Sequence, residues 1–371
     1  MKLTLRVFVL WTLWIAVPST PIVAQVNPRA ALLAQDGWNA LAAGQASAAA
    51  KIFQQALAID GKNAELYLGA GTAAFVERRD ESAQSALERA LQLDPTLVPA
   101  RELLGLVLYR RGDLFGAIRT YELLDRSQPH NNPAVERLER WRRELELHNR
   151  MDTMVGSAFT VSFEGERDAD LAARVLESLE RASSRISRVL SYPLRPVPVV
   201  LYTDQQFHDI TRSPSWAAGA FDGTIRIPVR GALTTPGELD RVIAHEFAHA
   251  VIRGLAPRGV PAWLNEGLAT VLEREESDVR VDEASRRVPQ PRLGTLGLSF
   301  GPMSPAEART AYAVSARAAQ RMLDDAGNFA VVNLLRDLSD NVPFERAFLS
   351  RMQRSFADFE SSLIDSDTNA R

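Results

Sequence analysis

The sequence predicts an α+β protein made of two parts, an N-terminal all-α solenoid and a C-terminal domain in which strands precede helices. Its 371 residues suit two domains better than one. In the first part, small and apolar residues recur with a fixed period, which is typical of stacked helical repeats. In the second part, short strand-like runs come before long stretches of helical spacing, which favours an α+β arrangement.

Composition narrows the function classes. The hydrophobic fraction of 46% and the charged fraction of 24% are ordinary for a globular protein that buries a core. A net charge of −3 gives no reason to expect nucleic acid, whose binding normally needs a concentrated basic surface. The sequence has no cysteine, which excludes disulfides, thiol catalysis and cysteine-ligated zinc. Any metal must therefore be held by carboxylates and some of the five histidines.

The first 24 residues are predicted to be an export signal. Lys2 and Arg6 supply a positive start, residues 7–17 are apolar apart from Thr12, and Ala24 is a small residue suited to cleavage. The apolar run is shorter than the ~20 residues that a membrane-spanning helix needs. We therefore expect a bacterial protein exported to the periplasm or the medium, with no membrane span after signal removal. The alternative is an uncleaved anchor.

A period of 34 residues marks the first part of the chain. The matching sets are Gly37, Gly71 and Gly105; Ala49, Ala83 and Ala117; Phe53, Leu87 and Tyr121; and Gly61, Pro95 and Pro129. The small residues would let two helices of a pair approach closely, and the larger residue four positions after each alanine would fill the groove. The proline or glycine would end the second helix and turn the chain.

This pattern resembles three tetratricopeptide repeats, at 30–63, 64–97 and 98–131. A charged helix opened by Pro133 would cap the solenoid and complete a repeat domain at 30–150, with its charges forming a solvated face. The resemblance implies a concave surface that docks a protein partner or substrate. The alternative is that three repeats only pack on the following domain.

The second domain is predicted at 155–364, followed by a frayed tail at 365–371. Its expected elements are a strand at 159–163, a helix at 170–190, a strand at 197–202, a hairpin within 220–229 and short helices from 328 to 363. The hairpin should include an edge strand, and an edge strand can pair with an extended peptide substrate.

One apolar helix of this domain carries two histidines and a glutamate. The stretch from Thr235 to Glu238 has a capping-box pattern that marks its start. His245 and His249 are four residues apart, so they lie on one face and can reach one tetrahedral ion. Glu246 points about 100° away and can reach a water at that ion, as in the HExxH motif. The alternative is a pair of hydrogen-bonded core histidines.

A second helix brings a third candidate ligand. Pro261 opens it after a short loop, so the two helices should be antiparallel neighbours. Glu266 then lies where its carboxylate can face both imidazoles. Two histidines and a glutamate with an open fourth position are the ligands of a catalytic zinc site.

The stretches His-Glu-Phe-Ala-His at 245–249 and Trp-Leu-Asn-Glu-Gly-Leu-Ala at 263–269 resemble the gluzincin metallopeptidases, the thermolysin-like group, and most of all their peptidase MA-like domains. The resemblance implies a zincin-like fold, Zn²⁺ as the cofactor and a peptide or protein substrate. It also places Thr270 as a support for a zinc-bound histidine, and Tyr312, within Ala-Tyr-Ala-Val-Ser, as a donor to the oxyanion. Packing roles are the alternatives for both residues.

The predicted function is hydrolysis of peptide bonds. Zinc would polarise the scissile carbonyl and acidify its bound water, from which Glu246 would take a proton. The Gly-x-Met-Glu-Asn sequence with which aminopeptidases hold a free N-terminus is absent, which favours an endopeptidase. The alternative is a catalytically inactive peptidase-like module or scaffold that uses its repeats for protein binding.

Overall fold

Six helices in the first part of the chain pack as consecutive pairs. They are α1 (Pro28–Ala42), α2 (Ala46–Ile59), α3 (Ala64–Val76), α4 (Asp80–Leu93), α5 (Val98–Arg110) and α6 (Leu114–Asp125). The computed structural model describes residues 27–125, 133–193, 195–213, 217, 219–228, 236–274, 291–296 and 299–368. Each of the six helices contacts the next one along the chain, as in a helical solenoid.

The periodic residues meet as their spacing predicts. A Cβ placed on Gly37 would lie 2.8 Å from the ring of Phe53, and one on Gly71 would lie 2.7 Å from Leu87. In the third pair, Gly105 meets the ring of Tyr121 in the same way. The alanines of the period are fully buried at Ala49, Ala83 and Ala117. The predicted helical repeat is therefore confirmed as a TPR-like region, while Pro129 lies outside the described residues.

Helix α7 (Pro133–His148) covers the end of the repeats, as predicted. Its Trp141 is buried and stacks on Tyr109 of α5 with ring centroids 4.9 Å apart. The prediction that its charges form a solvated face is wrong at Glu144, which is only 1% exposed. Glu144 faces the second domain rather than water, which the helical period alone does not reveal.

The second domain contains a five-stranded mixed sheet in the order β1-β2-β3-β5-β4. The strands are β1 (Asp152–Val155), β2 (Phe159–Phe163), β3 (Val197–Tyr202), β4 (Ala220–Phe221) and β5 (Ile225–Pro228). Strands β2, β3 and β5 are parallel, whereas β1 and β4 pair antiparallel at the two edges. The predicted hairpin is present, and its edge strand is β4. Strand β1 begins three residues before the expected domain start, because its largely exposed residues give no alternating pattern.

Seven α-helices of this domain lie within the described residues. They are α8 (Ala169–Val189), α9 (Asp204–Thr211), α10 (Pro236–Leu255), α11 (Ala262–Leu272), α12 (Pro305–Ser339), α13 (Phe344–Met352) and α14 (Phe356–Thr368). Helix α9 packs with Leu147 of α7 in a small separate cluster, and the others surround one large core. Helix α12 starts at a Ser304–Glu307 capping box and is interrupted at Gly327, whose φ is 76°. Helix α14 continues through the first four residues of the predicted frayed tail.

A buried polar cluster joins the two parts. Arg226 of β5 is 5% exposed and its Nη1 donates to Glu144 of α7 at 2.7 Å and to the hydroxyl of Tyr202 at 2.8 Å. The hydroxyl of Tyr109 donates to Glu144 at 2.8 Å and accepts from Arg226 at 3.2 Å. His148 Nε2 lies 2.7 Å from the Tyr202 hydroxyl. Since a buried ion pair needs such partners, this cluster fixes how the repeats sit on the second domain.

The predicted signal peptide, with cleavage near Ala24, lies outside the described residues. Among the helices that the structure does describe, none is both long enough and apolar enough to cross a bilayer.

Candidate metal centre

The structure brings His245, His249 and Glu266 together. The Nε2 atoms of the two histidines are 3.1 Å apart, and Glu266 Oε2 lies 3.5 Å from His245 Nε2 and 3.4 Å from His249 Nε2. Three ligands of a tetrahedral zinc ion, each bonded at about 2.0–2.1 Å, are about 3.3 Å from one another. Within the described part of the chain, this is the one group of three such side chains with metal-ligand spacing.

The polar atoms of the group also fit a cation. Glu266 Oε2 is buried, and it makes no hydrogen bond with any described residue although both imidazoles are near. A buried polar atom without a partner costs about 1–3 kcal/mol. A cation that accepts electron pairs from all three atoms removes this cost, so the donor set is suited to a metal.

Tight helix packing sets the position of Glu266. Helices α10 and α11 carry the ligands and pack together, and α11 packs on α12. At the second contact, a Cβ on Gly267 would overlap the carbonyl oxygen of Ser315 and lie 2.6 Å from its carbonyl carbon. Only a glycine lets α11 approach α12 this closely, and the neighbouring Glu266 is thereby held toward α10.

The outer support of His245 comes from a residue that the sequence analysis missed. His245 Nδ1 lies 2.9 Å from Glu273 Oε2. The predicted support, Thr270, donates its hydroxyl instead to the main-chain carbonyl of Glu266 at 2.8 Å. Glu273 follows Glu266 by seven residues, which is two turns along the same helix face, and that spacing was the signal available in the sequence.

Glu246 of α10 lies beside the three candidate ligands and faces the segment that leads into edge strand β4. Its side chain is 7% exposed, and a Cβ placed on Gly219 would lie 2.7 Å from its Oε1. Burial raises the pKa of Glu246, and positive charge on the two histidines offsets part of that rise. The main chain just before β4 is therefore in contact with the predicted general base.

Tyr312 projects from α12 into the same region. Its ring centroid is 6.2 Å from that of His245 and 5.2 Å from that of Phe300. Burial raises the pKa of Tyr312, and the negative charge of Glu266 raises it further, so the phenol stays protonated and able to donate. The structure thus places Tyr312 close to the ligands, and its catalytic role stays a prediction.

The carboxylates govern the charge of the histidines. Burial alone would lower the pKa of His245, but the nearby carboxylate of Glu266 and the hydrogen bond to Glu273 outweigh burial and raise the pKa to about 10. Burial would raise the pKa of Glu266, but the two nearby histidines, His249 above all, hold it well below its usual range. A metal that binds at these atoms displaces protons from them.

An open cleft of about 510 Å³ contains the three candidate ligands, Glu246 and Tyr312. One wall comes from the repeats, through Arg78 in the turn between α3 and α4. Arg258 connects the two walls, because its Nη1 donates to the carbonyl of Glu77 at 2.9 Å. Both domains therefore shape the cleft.

No protein-family model matches the chain, and no curated protein matches it. Among solved structures, the chain is similar to the TPR domain of Sgt2 from Aspergillus fumigatus, with 28% sequence identity over 36% of this chain and 91% of that chain and a TM-score of 0.32. The TPR-like character of helices α1 to α6 rests on their 34-residue period and on the contacts of their glycines.

Proposed function

We propose that this protein is a zinc-dependent peptidase of the gluzincin type. The observation that carries the proposal is the triangle of His245 Nε2, His249 Nε2 and Glu266 Oε2, built on two packed helices at the wall of an open cleft. Catalytic zinc sites have this kind of donor set, two histidine nitrogens and one carboxylate oxygen, with one side open to a cleft. Structural zinc sites have four protein ligands and no open side.

The chain's own residues suit the chemistry that such an ion supplies. When bound, zinc polarises a carbonyl and acidifies water. Glu246, next to a ligand in sequence and buried against Gly219, accepts a proton at its carboxylate and returns it to the leaving amine. The hydroxyl of Tyr312 donates a hydrogen bond to the developing oxyanion. The burial of Glu246 keeps bulk water away from this proton transfer.

A peptide fits the cleft because the edge of the sheet reaches it. Strand β4 (Ala220–Phe221) ends the sheet, and both of its residues line the cleft beside Glu246. An extended chain can add to such an edge through main-chain hydrogen bonds with little sequence demand. We therefore expect an extended substrate to pair with β4. Ile225 of β5 already pairs with strands on both sides, so it has no free edge for a substrate.

The second candidate function is a binding module that does not cleave its ligand. The TPR-like repeats are suited to protein binding in either case. The two candidate functions differ only in whether Glu246 acts as a general base in peptide hydrolysis. Export to the periplasm or the medium would place either one with extracytoplasmic protein partners.

A cleavage assay with zinc analysis tests the proposal. The purified chain and its Glu246→Gln variant are incubated with proteome-derived peptides, and new termini are read by mass spectrometry. New termini with the unaltered protein only, and one zinc per chain in both proteins, support the peptidase. Zinc in both without cleavage supports the binding module, and failure of both to bind zinc overturns the metal site.

A further inference from the structure

The cleft carries an uneven set of charges. Its lining contains three arginines, Arg78 from the repeats and Arg253 and Arg258 from the second domain. Its carboxylates, among the described lining residues, are Glu246 and Glu266, which already belong to the candidate metal centre. Away from that centre, the three guanidinium groups are the charged groups among the described lining residues.

Within the part of the chain that the structure describes, none of these three arginines forms an ion pair. Arg253 Nη1 donates to the main-chain carbonyl of Asp222 at 2.5 Å. Arg258 donates to the carbonyl of Glu77 and, through Nε, to the side-chain oxygen of Asn341 at 2.9 Å. All three acceptors are uncharged oxygens, so they hold the side chains in place without removing their charge.

Carboxylates close to the arginines have other partners. Asp80 forms an ion pair with Arg110, and Asp222 lies 3.3 Å from Arg226. The carboxylate of Glu77 is 2.5 Å from Arg79. The local acidic groups are therefore already paired, and the positive wall keeps its charge.

Arg78 is the most available of the three. It sits in a left-handed conformation with a φ of 57°, and its side chain is exposed and makes no ion pair or hydrogen bond with the residues that the structure describes. Arg78 and Arg253 line the same cleft, where burial lowers the pKa of Arg253, the positive charge of Arg78 lowers it further, and Asp80 and Asp222 oppose this effect.

We propose that Arg78, Arg253 and Arg258 form a carboxylate-binding subsite of the substrate cleft, so that the protein prefers peptides with an acidic group. This inference rests on the proposed peptidase function and gives it a substrate class. Guanidinium groups bind carboxylates with paired, charge-assisted hydrogen bonds. A cleft lined by one sign of charge also concentrates ligands of the opposite sign. Through Arg78, the repeat domain takes part in substrate selection.

The bound carboxylate has two possible sources in a peptide, an acidic side chain and the C-terminal carboxyl group. Three pools of fluorescein-labelled peptides of equal length distinguish them. One pool contains glutamate and ends in an amide, one lacks acidic side chains and ends in a free carboxylate, and one lacks both. Anisotropy with the Glu246→Gln protein, loaded with zinc, measures their binding without turnover.

We expect one of the two acidic pools to bind more tightly than the neutral pool. Asparagine tolerates the left-handed backbone at this position, and Arg78→Asn removes one charge. The variant should therefore bind the preferred pool roughly fivefold more weakly, which corresponds to about 1 kcal/mol. Arg78→Lys keeps the charge but not the paired hydrogen bonds, so it should restore part of the affinity. Arg89→Gln removes an exposed arginine of α4 that does not line the cleft, and it should change nothing.

Equal binding of all three pools, or loss of affinity in Arg78→Asn that is the same for all pools, would overturn the subsite. The outcome is independent of the proposed function, because binding is read without cleavage. A protein that cuts peptides without charge preference remains a peptidase and lacks this subsite. A protein that prefers acidic peptides and cuts none keeps the subsite and fails as a peptidase.

Discussion

His245 and Glu273 form the contact that orients the candidate metal centre, with His245 Nδ1 lying 2.9 Å from Glu273 Oε2. A carboxylate on the outer nitrogen of a ligating histidine fixes its tautomer, so that the inner nitrogen presents its lone pair to the ion. Glu273 lies just past the end of α11, on the helix that also carries Glu266. One helix therefore supplies both a ligand and the support of another ligand.

Removal of this support should weaken metal binding. Glu273→Ala is expected to lower zinc affinity about 10- to 100-fold, measured by competition with a chromogenic chelator. Thr270→Val is the matched control, because its hydroxyl bonds only to the main-chain carbonyl of Glu266. If Thr270→Val weakens zinc binding as much as Glu273→Ala does, the assignment of the support to Glu273 is wrong.

Crowding of Glu246 should reduce turnover without loss of metal. In Gly219→Ala the new methyl group would lie 2.7 Å from Glu246 Oε1, so the carboxylate must move. A displacement of about 1 Å can cost about 100-fold in rate, so kcat on a cleaved peptide should fall by roughly 10- to 100-fold with zinc content unchanged. Gly237→Ala, on α10 with open space around it, should keep full activity.

The contact between Gly267 and Ser315 should matter for both stability and metal binding. Gly267→Ala would push α11 away from α12, because the new Cβ overlaps the carbonyl group of Ser315. Overpacking of this kind typically costs about 1–3 kcal/mol, so the urea midpoint should fall. Zinc affinity should fall with it, since Glu266 moves with the helix. An unchanged midpoint would show that the two helices separate without cost.

The sequence was informative wherever spacing fixes geometry. A period of 34 residues predicted which glycine meets which large side chain, and the helical period placed His245, His249 and Glu266 within reach of one another. It failed where partners come from distant parts of the chain. Arg226 and Glu144 are 82 residues apart, and no local pattern pairs them. The short strand β1 was missed because its exposed residues give no alternation, and the short helix α9 was missed although Thr203 and Gln206 give it a capping box.

The choice of edge strand shows the same limit. The alternation of apolar and polar residues in the hairpin predicted two strands. Which of the two lies at the edge of the sheet depends on which one pairs with β3, and that strand is β5. The residue pattern predicted only that the hairpin within 220–229 includes an edge strand, and the structure gives that edge to Ala220 and Phe221. The short loop and the helical spacing thus predicted that His245, His249 and Glu266 lie close together. The walls of the cleft, to which Arg78 contributes from the other domain, could be recognised only from the fold.

The interface between the two parts should respond to mild acid through His148. Burial is the main cause that lowers its pKa below the ordinary 6.5, Arg226 lowers it further, and Glu144 opposes both. Because unfolded His148 titrates at its ordinary pKa, the unfolded chain binds more protons as the pH falls below about 6.5, and this group then destabilises the fold.

His148→Gln keeps a polar atom near the Tyr202 hydroxyl and removes the titration. The fall in urea midpoint between pH 7.5 and pH 5.5, about one unit on either side of that ordinary pKa, should therefore be smaller in His148→Gln than in the unaltered protein. An equal fall in both proteins would show that other groups carry the acid sensitivity.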